Sequence, residues 1–395
     1  MEHNKKGFSL QTFGILLMFM ATSGGTFENP AIQTTIEAWP EVNPSSIMMM
    51  ITIPNITSVV AMLIFGAIVG KKISYRMGNV LALICSLAGG LLPIFYCPSW
   101  TFMLIMRGIL GIAVGYYGVR NALVIRSVDS SQVTRFIGYG GVINGITSTV
   151  LGPIVGYLAG FGWQFALWCN AVMAIVGIVN LLWLKEPDRE EENLGADEKE
   201  KGNVKVPALS FVFAVMQFLH VWCIYPLLLG VSTFVSERAL GSAVVAGSLV
   251  AVFQASGLVI NILLPLAQKT FGKCLIAVSY LFSAAGLTII LVIPNIVAVG
   301  IGVFMVGIGF LMTVSMLQVY NGMVCDAKAV TLASTIILAA NQIGVFSSTY
   351  FMSISDAIFH RGSQVESSFL GAAIVLAIVA MTAFVFKGRL CPDKN

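Results

Sequence analysis

The stretch RGILGIAVGYYGVR, from Arg107 to Arg120, decides how the rest of the sequence is interpreted. It lies inside a long apolar run, yet it begins and ends with an arginine. An arginine in a lipid-spanning helix costs a few kcal/mol, so it normally faces a cavity or a polar partner. Gly111 and Gly115 share one helix face and let another backbone approach closely. The stretch predicts a tightly packed membrane helix beside a polar path.

The composition places the whole chain in a membrane. It has 395 residues, of which 57% are hydrophobic and 10% charged, and its mean hydropathy is +0.90. A soluble domain is about one quarter charged. Apolar runs of about twenty residues recur from end to end, and each can cross a hydrocarbon core about 30 Å thick. The sequence therefore predicts an all-α polytopic membrane protein. Its seven cysteines stand singly, which is typical of small buried side chains and of neither a disulfide framework nor a metal site.

Twelve spans are predicted, six on each side of a polar segment. They cover residues 8–34, 45–69, 76–96, 100–125, 136–160, 163–184, 208–232, 242–267, 273–293, 296–320, 328–353 and 367–386. The segment between spans 6 and 7 is rich in Glu, Lys and Asp and cannot bury a core. We therefore expect an N-terminal six-helix bundle (1–185), a cytoplasmic linker (186–207) and a C-terminal six-helix bundle (208–395).

The basic residues predict the orientation. With the N-terminus inside, the external loops hold only Arg238 and Arg361, and Arg107 and Arg120 lie within or near the membrane. The other 18 of the 22 Lys and Arg residues fall on the cytoplasmic side. Because cytoplasmic loops carry an excess of basic residues, both termini are predicted to be cytoplasmic.

The two halves also resemble each other. Pro30 in span 1 and Pro226 in span 7 lie 196 residues apart, and both are predicted to break a helix near its outer end. Six plus six helices around a central site is a layout of transporters with two parallel repeats.

With this arrangement of spans, the chain resembles members of the major facilitator superfamily over nearly its whole length. The loop GAIVGKKISYRMG after span 2 is similar to the family signature Gly-x-x-x-Asp-Arg-x-Gly-x-Arg-Arg. Gly66, Lys71 and Arg76 fit that signature, whereas Gly70 stands at its acidic position and Ile73 at its internal glycine.

Two further motifs carry the resemblance. Arg107, Gly111 and Gly115 in span 4 resemble the family's second motif. In span 5, Gly152-Pro153-Ile154-Val155-Gly156 is similar to the Gly-Pro-x-x-Gly-Gly motif, which in the family marks exporters that exchange substrate for protons. The resemblance therefore implies the drug:proton antiporter branch, with these glycines and Pro153 serving the conformational change.

Enzyme classes are disfavoured by the motifs that the chain lacks. GAIVGKK has three residues between its glycines and no Ser or Thr after the lysine, so it is not a phosphate-binding loop. The sequence contains no HExxH, CxxC or GxSxG motif. We expect neither an enzyme nor a bound metal or cofactor.

Two charged residues in the spans are candidates for proton coupling. Arg107 can contact an anionic group, modulate a proton site, or bond to carbonyl groups as a structural arginine. Glu28 is the only acidic residue well inside a predicted span. A carboxyl group in a low-dielectric environment can exchange a proton near neutral pH. If span 1 ends earlier, however, Glu28 belongs to the outer loop with Glu37 and Glu41.

Uncharged polar residues in the spans are candidates for binding substrate, because amides and hydroxyls orient a ligand without trapping it. They can equally join helices to one another. The predicted substrate-binding set, with Arg107, is Asn55, Asn144, Gln217, Tyr225, Gln254 and Asn341. His220 is interpreted as a packing residue, and Arg120 as an anchor at the inner interface.

Together these features predict a plasma (inner) membrane transporter that works by alternating access. The favoured function is export of a small, partly apolar organic compound in exchange for protons. An organic-anion symporter, uniporter or exchanger with Arg107 as the counter-ion is the alternative, and a non-transporting membrane receptor is an alternative of another class. The expected partners are a small-molecule substrate, protons and the lipid bilayer; nucleic acid is not expected, and the protein is predicted to be a monomer.

Overall fold

The helical membrane architecture is confirmed by a computed structural model. It describes residues 10–21, 23–70, 72–118, 120–127, 133–184, 206–293, 295–325 and 327–390. Within these ranges twelve helical segments are long and apolar enough to cross a membrane. The only β structure described is an isolated bridge between Val69 and Ile73. Lys71 and the predicted linker, apart from Val206 and Pro207, lie outside the described residues.

The helices keep the order of the predicted spans. Span 1 holds helices Leu10–Ala21 and Ile32–Ala38, span 2 Pro44–Ile68, span 3 Tyr75–Ser86 with Leu92–Phe95, span 4 Trp100–Tyr117, span 5 Val133–Ala159, span 6 Trp163–Ala166 with Ala171–Trp183, span 7 Ala208–Glu237, span 8 Ala243–Phe271, span 9 Leu275–Val292, span 10 Ile296–Val324, span 11 Ala327–Phe359 and span 12 Gln364–Val385. Two short helices, Arg120–Ser127 and Lys387–Leu390, follow spans 4 and 12.

The two prolines that were expected to break helices behave differently. Span 1 is broken around Pro30 by two 3₁₀ turns, Gly24–Thr26 and Asn29–Ala31, as predicted. Span 7 runs without interruption through Pro226, so the predicted break there is wrong. A proline removes one helical hydrogen bond, but membrane helices tolerate this loss where neighbouring groups compensate it.

Span 4 is also shorter than predicted. Its helix ends at Tyr117, where the Gly118 N–H donates to the Gly115 carbonyl at 3.1 Å. This i to i−3 bond tightens the last turn. The next helix starts at Arg120, so the expected single span to residue 125 is two helices.

The chain forms two compact units, and each combines segments distant in sequence. Unit 1 consists of Met1–Phe27, Ile53–Ser148 and Leu167–Asn203. Unit 2 consists of Glu28–Thr52, Thr149–Ala166 and Val204–Asn395. Both units therefore contain pieces of the first sequence half, and the division into bundles 1–185 and 208–395 stays a prediction.

Each unit is held by apolar packing and by buried polar bonds between spans. In unit 1 the Asn180 amide of span 6 donates to the Gly14 carbonyl of span 1 at 2.9 Å. In unit 2 the Tyr280 hydroxyl of span 9 donates to the Met216 carbonyl of span 7 at 2.7 Å. His220, also on span 7, is fully buried beside Tyr280. Such bonds satisfy buried polar groups that would otherwise destabilise the fold.

Candidate functional site

Arg107 occupies the interior of unit 1. Its side chain is 0% exposed, although it lies seven residues after the start of span 4, or about 10 Å along the helix. Moving a guanidinium group out of water costs several kcal/mol, which its surroundings must offset. Arg107 therefore faces the protein and not lipid, which each of its three predicted roles requires.

Gly111 and Gly115 bring span 4 directly against span 2. A methyl group at Gly115 would lie 2.7 Å from the Ser58 carbonyl oxygen, and one at Gly111 would lie 2.8 Å from Pro54 Cα. Gly108, one turn before Gly111, has no such neighbour, since its nearest atoms would be 3.8 Å away. The two motif glycines thus form a close backbone contact, as small residues do between membrane helices.

Two of the predicted substrate-binding amides lie in unit 1. Asn55 is buried in span 2. Asn144 is half-buried in span 5, where its Oδ1 accepts a hydrogen bond from the Ser23 hydroxyl at 2.9 Å. Ser23 precedes the first 3₁₀ turn of span 1. The break in span 1 therefore presents a hydroxyl group to span 5.

Glu28 lies in unit 2, at the N-terminus of the turn Asn29–Ala31, and is 0% exposed. Tyr225 of span 7 lies near Asn29 and Glu28, and its hydroxyl is buried without a hydrogen-bond partner among the described residues. Glu37 and Glu41 are exposed. The alternative that places Glu28 in the outer loop with them is therefore wrong.

The break in span 1 is fixed to span 7 by a second contact. The Ser232 hydroxyl donates to the Pro30 carbonyl at 2.8 Å, and both groups are buried. A carbonyl in a broken helix lacks its usual donor, and a neighbouring hydroxyl can supply one. This contact holds the Glu28 turn against span 7.

A chain of amides joins spans 7 and 11 in unit 2. Gln217 Nε2 donates to Asn341 Oδ1 at 2.8 Å, and Asn341 Nδ2 donates to Gln342 Oε1 at 3.1 Å. These distances are typical of good hydrogen bonds. Gln254 is half-buried on span 8, and the hydrogen bonds described for unit 2 do not connect it to this chain. The structure thus brings together Gln217 and Asn341 but not Gln254.

The glycines of the span 5 motif contact span 8. A methyl group at Gly152 would lie 2.6 Å from the Gly247 carbonyl oxygen, and one at Gly156 would clash with the Ala243 carbonyl. Pro153 lies inside the same helix. Spans 5 and 8 therefore meet backbone to backbone within unit 2, a contact that we call the span 5–span 8 seam.

The residues of the loop signature give less structural information. Gly66 is exposed, and a side chain there would meet no atom within 4 Å. Arg76 is exposed as well. The role of this loop in the conformational change stays a prediction.

Arg120 lies just beyond span 4. Its guanidinium group packs over the Phe19 ring at 4.5 Å from the ring centroid and donates to the Tyr117 carbonyl at 3.2 Å. A cation over an aromatic face is stabilised by the ring quadrupole. These contacts fit an anchor for the end of span 4.

An apolar cavity of about 470 Å³ lies between spans 2 and 4. Its walls include Val60, Ile64 and Ile105, whose side chains are largely exposed. It contains none of the predicted binding residues. Outward-facing apolar side chains in a membrane protein face acyl chains, so we assign this cavity to the lipid-facing surface.

Sequence reasoning missed three polar residues that the structure places beside the predicted ones. They are Ser23, which bonds to Asn144, Asn29, which lies near Tyr225, and Gln342, which extends the amide chain. Asn29 could have been found, because it lies between Glu28 and the helix-breaking Pro30. Ser23 and Gln342 have no comparable signal in the sequence.

Comparisons with known proteins point to one family. The family model described as Major Facilitator Superfamily matches residues 9–349. No curated protein matches the chain in sequence. The solved structures similar to it include a POT family transporter in complex with 5-aminolevulinic acid (TM-score 0.73, 11% identity, 98% of this chain and 99% of that chain covered). They also include a D-xylose–proton symporter (0.69, 13%, 97% and 97%) and a nucleoside transporter (0.72, 14%, 96% and 100%). At these identities the likeness concerns the fold alone.

Proposed function

The chain belongs to the Major Facilitator Superfamily, and on that premise we propose that it exports a small, partly apolar organic compound in exchange for protons. Membership makes it a multi-pass secondary transporter and not an enzyme. It also disfavours the non-transporting receptor. Export, proton coupling and the drug:proton antiporter branch are the proposed part.

The observation that carries the proposal is the position of Glu28. This carboxyl group is fully buried at the break of span 1, next to Asn29 and Tyr225. A carboxyl group enclosed by protein and close to polar partners can take up and release a proton as its surroundings change. In the proposed cycle Glu28 binds a proton when substrate is absent and loses it when substrate binds.

Contacts within unit 2 support alternating access. The Ser232–Pro30 bond, the span 5–span 8 seam and a bond from Gln364 Nε2 to Ser45 Oγ at 3.0 Å join the ends of spans 1, 5 and 2 to helices of the second half. With both termini in the cytoplasm of a plasma (inner) membrane, as proposed from the basic residues, these ends face outward. We assign these contacts to an outer gate that opens during the transport cycle. The transporter is proposed to work as a monomer.

Proton exchange can be measured in inverted membrane vesicles that contain the transporter. Respiration acidifies the vesicle interior, which a fluorescent acridine dye reports. A compound that is exchanged for protons restores the fluorescence, and a panel of small neutral, cationic and anionic organic compounds serves as the source of substrates. We expect recovery with the native chain and none with Glu28→Gln.

A matched control is available in the same span. Glu37 is exposed near the end of span 1 and accepts a local hydrogen bond from Gln33, so Glu37→Gln should behave like the native chain. The proposal is wrong if Glu28→Gln retains the proton signal for a compound that the native chain exchanges.

The buried position of Arg107 favours a second candidate function, which is the transport of an organic anion by symport, uniport or exchange. A fully enclosed guanidinium group can serve as the counter-ion of a carboxylate. Transport should then be inhibited by carboxylates in the native chain but not in Arg107→Ala. Inhibition that survives the substitution would exclude this role.

A further inference from the structure

We propose that the amide chain Gln217–Asn341–Gln342 determines the substrate class and selects a neutral compound with a hydroxyl or amide N–H group. The inference deepens the proposed function, on which it rests, because it names the compound that the transporter carries.

The hydrogen bonds of the amide chain all run in one direction. Each amide donates to the oxygen of the next, from Gln217 through Asn341 to Gln342. Gln217 therefore uses its NH₂ group on Asn341, and its Oε1 is left as the free end. This oxygen is buried and has no hydrogen-bond partner among the described residues. The end of the chain at Gln217 is thus an acceptor, which requires a donor.

An acceptor of this kind calls for an explanation, because buried polar groups are normally paired. The Gln217 side chain is only 2% exposed. A transporter binds its substrate in one conformation and releases it in another. A substrate N–H or O–H can satisfy Gln217 Oε1 in the conformation that binds it, which would favour that state.

The position of the amide chain along spans 7 and 11 suits a substrate site. Gln217 lies nine residues after the start of span 7 and Asn341 fourteen residues after the start of span 11, which places them roughly 14 Å and 21 Å along their helices. Binding sites of transporters of this layout lie near the bilayer midplane.

The chemistry of the amides specifies the charge of the ligand. The three side chains carry no charge and compensate an ionic group poorly. They therefore favour a neutral compound over a cation or a carboxylate.

Thermal stability of the purified full-length protein tests this inference, because a ligand that binds the folded form raises the melting temperature. The neutral probes are uridine and phenyl β-D-glucoside, and the charged probes are tetraphenylphosphonium and benzoate, all at millimolar concentration. We expect at least one neutral probe to raise the melting temperature and neither charged probe to do so. A shift with a charged probe alone, or no shift with either neutral probe, overturns the proposal.

Two variants test whether the shift in melting temperature depends on the amide chain. Gln217→Met keeps the length of the side chain but removes the acceptor, and it should weaken binding of the neutral probe about five- to tenfold. Trp222→Phe removes the hydrogen bond from the Trp222 indole N–H to the Ser347 carbonyl, which joins the same two helices at 3.0 Å. It leaves the amide chain intact, so it should retain most of the shift. If Trp222→Phe loses the shift as fully as Gln217→Met, helix packing is responsible and the proposal fails.

The outcome is separable from proton coupling. Binding is measured in detergent without a gradient, whereas exchange is measured in energised vesicles. A protein that binds uridine but moves no protons would overturn the proposed antiport and leave this inference standing. Proton exchange with a cation alone would overturn this inference and leave the proposed antiport standing.

Discussion

The span 5–span 8 seam can be tested by adding a single methyl group. In Gly152→Ala the new Cβ would lie 2.6 Å from the Gly247 carbonyl oxygen. Carbon atoms approach carbonyl oxygens to about 3.3 Å even in short C–H···O contacts, so the two helices must separate by about 0.7 Å at this point. A gap of that size forfeits roughly a quarter to a half of the dispersion energy of each contact across the seam.

The expected cost is about 1–3 kcal/mol, the range for overpacking a well-packed interior. If the seam is closed in only one transport state, this cost lowers the population of that state about 5- to 150-fold. Hydrogen–deuterium exchange of peptides covering 149–166 and 243–260 should increase. The melting temperature, followed with a dye that reacts with the buried thiols of Cys169 and Cys223 as they become exposed, should fall.

The same helix provides the control. Gly141→Ala adds the same methyl group to span 5 at a position with no atom within 4 Å, and it should leave the melting temperature and exchange nearly unchanged. Gly247→Ala opens the seam from the other side, so the double variant with Gly152→Ala should cost less than the sum of the two single variants. Equal effects of Gly152→Ala and Gly141→Ala, or additive costs in the double variant, would refute this account.

Three further substitutions test other contacts. Gly115→Ala should destabilise unit 1 by about 1–3 kcal/mol, because its methyl group meets span 2 at 2.7 Å, whereas Gly108→Ala, with 3.8 Å of clearance, should not; thermal melting of the two variants makes the comparison. Ser232→Ala removes the 2.8 Å bond to the Pro30 carbonyl and should cost about 1 kcal/mol in melting experiments, with Ser232→Thr restoring it. His220→Phe keeps a buried ring but loses its hydrogen bond, so we expect a stability loss of about 1 kcal/mol and an unchanged dye response in energised vesicles; a lost response would assign His220 to proton coupling.

Local chemistry predicts much of this fold. Apolar runs of membrane-spanning length locate the twelve spans because lipid leaves few alternatives to a helix. The two prolines show the limit of such reasoning. Pro30 breaks span 1 where two glycines and an asparagine accompany it, whereas Pro226 lies in an apolar helix that continues through it. Whether a helix survives a proline depends on which groups surround the freed carbonyl, and those groups come from other spans.

The sequence identifies individual residues of the candidate site but not which of them lie together in the structure. The spacing of Gly152 and Gly156 indicates a close helix contact, yet only the structure identifies span 8 as the partner. The burial of Glu28 could not be decided, because the end of span 1 was ambiguous in the sequence. The bond between Gln217 and Asn341 joins residues 124 positions apart, and no local pattern predicts such a pair.

The composition of unit 2 has a consequence for how the protein is made. Its segments Glu28–Thr52 and Thr149–Ala166 are synthesised before Val204–Asn395. Chains fold in the order in which they leave the ribosome, so these early segments enter the bilayer before the surfaces that they pack against exist. A ribosome stalled near residue 203 should therefore hold a nascent chain with Gly152 and Gly156 still exposed to lipid or to an insertion chaperone. The second half made alone should lack the partners of Gly247 and Ser232 and should need the first half, supplied as a separate polypeptide, to mature.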